Sequence, residues 1–127
     1  MRGKKLEIKT VIRGKLPQIP FQRIANEILP GRYELSLVIC GDVLARRINR
    51  QHRKRSYAAN VLSFPLEKNE GEIFLNMEAA RREAKQYGVS LRARLMLLFV
   101  HACLHLKGMQ HGTKMERAEK KVLMRFS

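Results

Sequence analysis

A single domain mixing strands and helices is predicted by three observations: a length of 127 residues, segments that switch between two-residue and helical hydrophobic spacing, and one segment apolar on most sides. Apolar residues make up 45% and charged residues 29% of the chain, an ordinary globular balance that excludes disorder. At this length one core is expected, spanning residues 1–127.

The elements follow in order. Leu6-Glu7-Ile8-Lys9 alternates as a half-buried strand does, and Gly14 and Pro17 punctuate the chain after it. Phe21, Ile24, Ala25, Ile28 and Leu29 recur at helical spacing until Pro30-Gly31 stops them. Residues 33–40 read as a second strand, more fully buried toward its end. Asp42 is a candidate N-cap for a helix to about Gln51. Asn60-Val61-Leu62-Ser63-Phe64-Pro65 and Glu72-Ile73-Phe74-Leu75-Asn76 read as a hairpin joined by the polar loop 67–71. A helix over 77–87 stops at Gly88, and Ser90 caps the next, which runs to Lys107 and ends at Gly108. That helix is apolar on most sides and so should be central. Thr113-Lys114-Met115-Glu116 matches a capping box, opening a last helix with Met115, Ala118, Val122 and Phe126 on one stripe.

Lys plus Arg number 26 and Asp plus Glu 11, a net charge of +15. That excess is more than solubility requires and points to a polyanionic partner, nucleic acid first. Arg46, Arg47, Arg50, Arg53, Lys54 and Arg55 concentrate it on the helix after the second strand and its exit. A charge run of this kind is often only a solvated face; the whole-chain excess tilts it toward phosphate contact, with Arg46, Arg47, Arg50, Lys54 and Arg55 as RNA-binding candidates. The longest apolar run, residues 95–100, is too short to cross a bilayer, and residues 1–5 lead into an alternating strand rather than a signal-peptide core. Cys40 and Cys103 each sit in an apolar run and read as reduced, buried thiols. The expectation is a soluble, cytoplasmic protein.

Three of the four histidines lie in H-A-C-L-H-L-K-G-M-Q-H, as His101, His105 and His111. Positions i and i+4 share a helix face, so His101 and His105 can chelate one ion. Gly108 ends the helix and can take positive φ, letting the chain turn back so that His111 supplies a third nitrogen. Three neutral imidazoles with a fourth position open form the pattern of a catalytic zinc site. Cys103 is a poor fourth ligand, being about 200° around the helix from His101. Metzincin proteases share the histidine spacing but place a general-base Glu after the first His. Ala102 stands there instead, which argues against a peptidase, and no motif-linked carboxylate neighbours the histidines.

The block from His101 to His111 is similar to the H-G-x-L-H-L-x-G-Y-D-H signature of the YbeY endoribonucleases. Asn49 and His52-Arg53 resemble that family's N-x-x-Y-R segment, residues 60–65 its T-D/N-V-L-S-F-P segment and Gly71-Glu72-Ile73 its G-D-I. The chain departs from the pattern at Ala58-Ala59 for Pro-Thr, Met109-Gln110 for Tyr-Asp, Ala102 for Gly, Glu72 for Asp and His52 for Tyr. The resemblance implies an α+β fold, a small mixed sheet of about four strands flanked by helices, with a central zinc-binding helix. It implies one zinc on His101, His105 and His111, hydrolysis of single-stranded RNA, maturation of the 3′ end of small-subunit ribosomal RNA, and ribosome quality control. Ribosomal RNA, the small subunit and a ribosome-assembly GTPase are the partners it implies, and Arg53 becomes the catalytic arginine beside the metal. The competing reading is a non-catalytic, zinc-containing RNA-binding assembly factor.

Overall fold

The computed structural model describes residues 5–126; residues 1–4, most of the stretch read as no signal-peptide core, lie outside the described residues. Nine elements follow in chain order: β1 (Lys5–Thr10), α1 (Phe21–Ile28), β2 (Glu34–Cys40), α2 (Asp42–Arg53), β3 (Val61–Glu67), β4 (Glu70–Asn76), α3 (Met77–Tyr87), α4 (Leu91–Lys107) and α5 (Thr113–Phe126). The four strands form one mixed sheet in the order β1-β2-β4-β3. β2 runs parallel to both β1 and β4, and β3 pairs antiparallel with β4. This is the α+β architecture expected, with α4 at its centre.

Alternation along β2 divides its side chains between two cores. Leu35, Leu37 and Ile39 face α1, α3, α4 and α5 and join the large core; Val38 and Cys40 face α2 and pack with Ala45. α4 packs against α1, α3, α5 and strands β3 and β4, and it buries Leu95, Met96, Leu98, Phe99, Val100, Ala102, Cys103 and Leu104. A helix covered on so many sides must be apolar nearly all round, as its sequence is. No single helix among the described residues is long and apolar enough to cross a membrane. Cys40 and Cys103 are both free and buried, and burial pushes both thiols up, Cys40 to about 12; such thiols pack and do not react.

Three local readings shift. The hairpin is tighter than expected, with only Lys68 and Asn69 between β3 and β4 and a register irregularity between Pro65 and Glu67. Pro65 is tolerated because β3 is an edge strand. The N-cap of α2 is Gly41, and Asp42 is its first helical residue. The reason lies in α3: Glu78 Oε1 accepts the Asp42 N–H at 2.8 Å, which frees the Asp42 carboxylate to accept Arg82 at 2.8 and 2.9 Å and Asn76 Nδ2 at 2.9 Å. Those bonds, the Arg82 one foremost, hold Asp42 down to about 2. The last helix likewise starts at Thr113 rather than after it, with the Glu116 N–H donating to the Gly112 carbonyl.

Gly71 is a close-approach glycine inside β4. A Cβ there would meet the Tyr33 hydroxyl at 2.3 Å and the Leu106 methyls at 3.0 and 3.1 Å, and Tyr33 is itself buried. Gly71→Ala should therefore destabilise the fold by about 1–3 kcal/mol through overpacking. Urea unfolding should show a lower midpoint with an unchanged slope; an unchanged midpoint would mean that Tyr33 swings clear at no cost.

Candidate metal centre

Ser90 caps α4, accepting the Ala93 N–H at 3.0 Å, and the other end closes on Gly108 at φ 109°. There the Gly108 N–H donates to the His105 carbonyl at 2.9 Å and the Met109 N–H to the Leu104 carbonyl at 3.0 Å, the paired bonds of a Schellman stop. This reversal brings His111 back over the last turn of the helix. The ring centroids of His101, His105 and His111 form a near-equilateral triangle with sides of 4.6, 4.9 and 4.8 Å. One nitrogen from each ring lies within 4.8 Å of the other two, so the three can hold a metal ion.

The hydrogen bonds behind the rings set which nitrogens face inward. His105 Nδ1 donates to the Met109 carbonyl at 3.0 Å, and His101 Nδ1 to the Glu119 carboxylate on α5. With both Nδ1 atoms facing acceptors, their protons are assigned there, leaving the Nε2 lone pairs of His101 and His105 facing each other 3.1 Å apart. Two lone pairs at that distance repel unless a cation sits between them, so the donor set fits a metal. Burial lowers the His105 pKa, and the neighbouring His101 and His111 lower it further, favouring the neutral, ligating form. Cys103 is fully buried, and among the described residues no cysteine or carboxylate joins the three rings as a donor.

The triangle opens into a cleft of about 770 Å³ between α4 and the edge strand β3, and Arg53 lines the same cleft. Arg53 is the last residue of α2, and its placement depends on Asn49 one turn earlier. Asn49 is fully buried, and its Nδ2 donates to the Tyr57 carbonyl at 2.9 Å. Its carbonyl accepts the N–H of Lys54, which closes the helix in the left-handed region at φ 57°. The His52 ring packs 5.2 Å from that of Phe64 on β3, pinning the end of α2 to the cleft wall. Arg46, Arg47, Arg50, Lys54 and Arg55 are all exposed, and none of these five lines the cleft. The structure thus brings Arg53 together with the histidines and leaves the rest of the run outside.

Sequence reasoning missed two charged groups of this site. Glu119, behind His101, sits four residues after the buried Met115, and a carboxylate on a core-facing stripe was the available signal. Arg94 also lines the cleft; it lies seven residues before His101 and so continues the histidine stripe toward the start of α4.

The family model described as Endoribonuclease YbeY matches residues 4–126. The Endoribonuclease YbeY of Mycoplasma capricolum is 37% identical over 111 residues, covering 72% of this chain and 68% of the relative. That of Chloroherpeton thalassium is 30% identical over 119 residues, covering 88% and 84%. The solution structure of TM1509 from Thermotoga maritima superposes with a TM-score of 0.67 at 22% identity, over 92% of this chain and 87% of that one, and so shares the fold. The family match runs over nearly the whole length and takes in Arg53, the three histidines and the Gly108 turn that joins them, and on that ground the chain belongs to the YbeY family.

Proposed function

We propose that this chain is a zinc-dependent endoribonuclease for single-stranded RNA, acting in maturation of the 3′ end of small-subunit ribosomal RNA and in ribosome quality control. The relatives carry the name Endoribonuclease, and the observation that carries the reading is one cleft shared by Arg53 and three converging imidazoles on a chain of net charge +15. Its partners in this reading are ribosomal RNA, the small subunit and a ribosome-assembly GTPase in the cytoplasm, and the chain works as one domain.

His101, His105 and His111 would hold the zinc. Two imidazole nitrogens bonded at about 2.0–2.1 Å with a tetrahedral angle lie about 3.3 Å apart, close to the 3.1 Å between the two Nε2 atoms. When bound, zinc supplies Lewis-acid polarisation of the scissile phosphate. The Arg53 guanidinium grips two phosphate oxygens with a planar fork and offsets the charge that builds on them during reaction. Glu119 lines the same cleft, and its carboxylate takes the Nδ1 proton of His101 rather than joining the three ligand nitrogens, so its part is to orient the ring. Glu119→Gln should weaken zinc binding roughly 10- to 100-fold, read by competition with a chromogenic chelator; unaltered affinity would make the contact incidental.

The exposed cations Arg46, Arg47, Arg50, Lys54 and Arg55 hold the backbone of the RNA outside the cleft. RNA affinity should then fall with salt at a log–log slope of about −0.7 per phosphate contact, and Arg46→Ala should flatten that slope while leaving the saturated cleavage rate intact. A slope that does not change would remove α2 from the RNA path. The direct test of the function is incubation of purified zinc-loaded protein with a labelled single strand and with the matching duplex. The single strand should be cut and the duplex spared; intact single strand bound tightly by the loaded protein would favour the assembly-factor reading.

A further inference from the structure

Arg94 is the second cation of the cleft, and its surroundings differ from those of Arg53. With Leu98, His101 and His105 it forms one stripe of α4, and seven residues at 1.5 Å each put it roughly 10 Å along the axis from His101. Its Nε donates to Glu83 Oε1 at 2.8 Å and its second terminal nitrogen meets the same oxygen at 2.8 Å. Glu83 is held in turn by Asn60 Nδ2 at 3.1 and 3.3 Å. The guanidinium carbon also lies 4.9 Å from the centroid of the Tyr87 ring, at the end of α3, and Tyr87 is 58% exposed. Arg94 is therefore a plate: fixed along one edge by a carboxylate that balances its charge, backed by an aromatic ring, and facing the cleft.

A charge-balanced cation is a weak grip for a phosphate, but a rigid planar group is a good seat for a nucleobase. Single-stranded RNA offers unstacked bases, and proteins take them on aromatic rings and guanidinium planes. We infer that Arg94, backed by Tyr87 and squared by Glu83 and Asn60, is a stacking subsite for the base of a nucleotide flanking the scissile phosphate. This rests on the RNA-cleaving reading above and adds a reason for single-strand preference: in a duplex that base is already stacked.

Stacking depends on the base and on the plane, whereas a merely structural Arg94–Glu83 tie between α3 and α4 depends on neither. The test is an abasic scan. Single-stranded 2′-O-methyl RNA oligonucleotides, each with one abasic nucleotide at successive positions, are titrated into the full-length zinc-loaded protein and followed by fluorescence anisotropy. In the wild type, loss of the base at one or two adjacent positions should weaken binding roughly five- to a hundredfold. Arg94→Lys keeps the charge and can keep the Glu83 contact, yet it should bind intact RNA more weakly and become insensitive to the abasic substitution at those positions. Tyr87→Ala, at an exposed position, should lose part of the same sensitivity, with the salt slope unchanged in both variants. A flat wild-type scan, or a Lys variant that matches the wild type in affinity and profile, overturns the subsite even if cleavage is intact. A wild type that neither binds nor cuts single strands overturns the RNA-cleaving reading itself.

Discussion

His111→Ala should remove the zinc and with it the cleavage of single-stranded RNA, while the fold survives. His111 is exposed and lies beyond the Gly108 stop, outside the core of α4, so its loss leaves the packed helix untouched. Two imidazoles remain, His101 and His105, and a two-nitrogen site binds far more weakly than a three-nitrogen one. The loss of zinc affinity should exceed the roughly 10- to 100-fold that losing a partner behind a ligand costs. Metal content after gel filtration, single-turnover cleavage and thermal melting check it together. The variant should also lack the zinc-dependent rise in melting temperature, which for the wild type corresponds to about 2.7 kcal/mol at a hundredfold excess of zinc over its dissociation constant. A variant that retains one zinc and the wild-type rate would remove His111 from the centre.

Arg53→Lys should lower the single-turnover cleavage rate roughly ten- to a thousandfold at saturating RNA, with zinc content unchanged. Lysine keeps the positive charge at the end of α2 but offers a point cation in place of a planar fork, so phosphate attraction persists and bidentate geometry is lost. Saturation separates the chemical step from affinity, and the RNA dissociation constant should move little. The Asn49–Tyr57 hydrogen bond and the His52–Phe64 contact hold the end of α2 whatever residue stands at 53, so a fall in rate reads the side chain itself. A wild-type rate in the Lys variant would make Arg53 one more solvated cation and would move phosphate recognition elsewhere in the cleft.

What the sequence disclosed was local. α4 was legible end to end because its signals are contiguous: Ser90 accepts at one end, Gly108 stops the other, and His101 and His105 one turn apart declare the face that matters. The sheet was legible as four strands but not as β1-β2-β4-β3, because the parallel pairings of β2 join segments far apart in the chain and no short motif encodes them. Asp42 misled by one residue for the same kind of reason: the group that satisfies its N–H is Glu78, 36 positions away. In the site, the histidines and Arg53 stood in motifs, whereas Glu119 and Arg94 showed only a place on a helix stripe. The contacts through which they act, Glu119 of α5 with His101 of α4 and Arg94 of α4 with Glu83 of α3, join separate helices that no motif links. The net charge of +15 pointed to a polyanion, but not to the fact that only Arg53 of the basic run lines the cleft. That depended on where α2 ends and how Asn49 ties down the loop beyond it.

The central claim is that one zinc on three histidines enables this chain to cut single-stranded RNA. Its most direct test is a zinc titration of the chelator-stripped protein, with single-turnover cleavage of a labelled single strand measured at each step. The account predicts no cleavage before zinc, a rate that climbs in proportion to added zinc, and a break at one equivalent per chain. Cleavage by the stripped protein at the full rate, or uptake of one zinc with the RNA left whole, would contradict it.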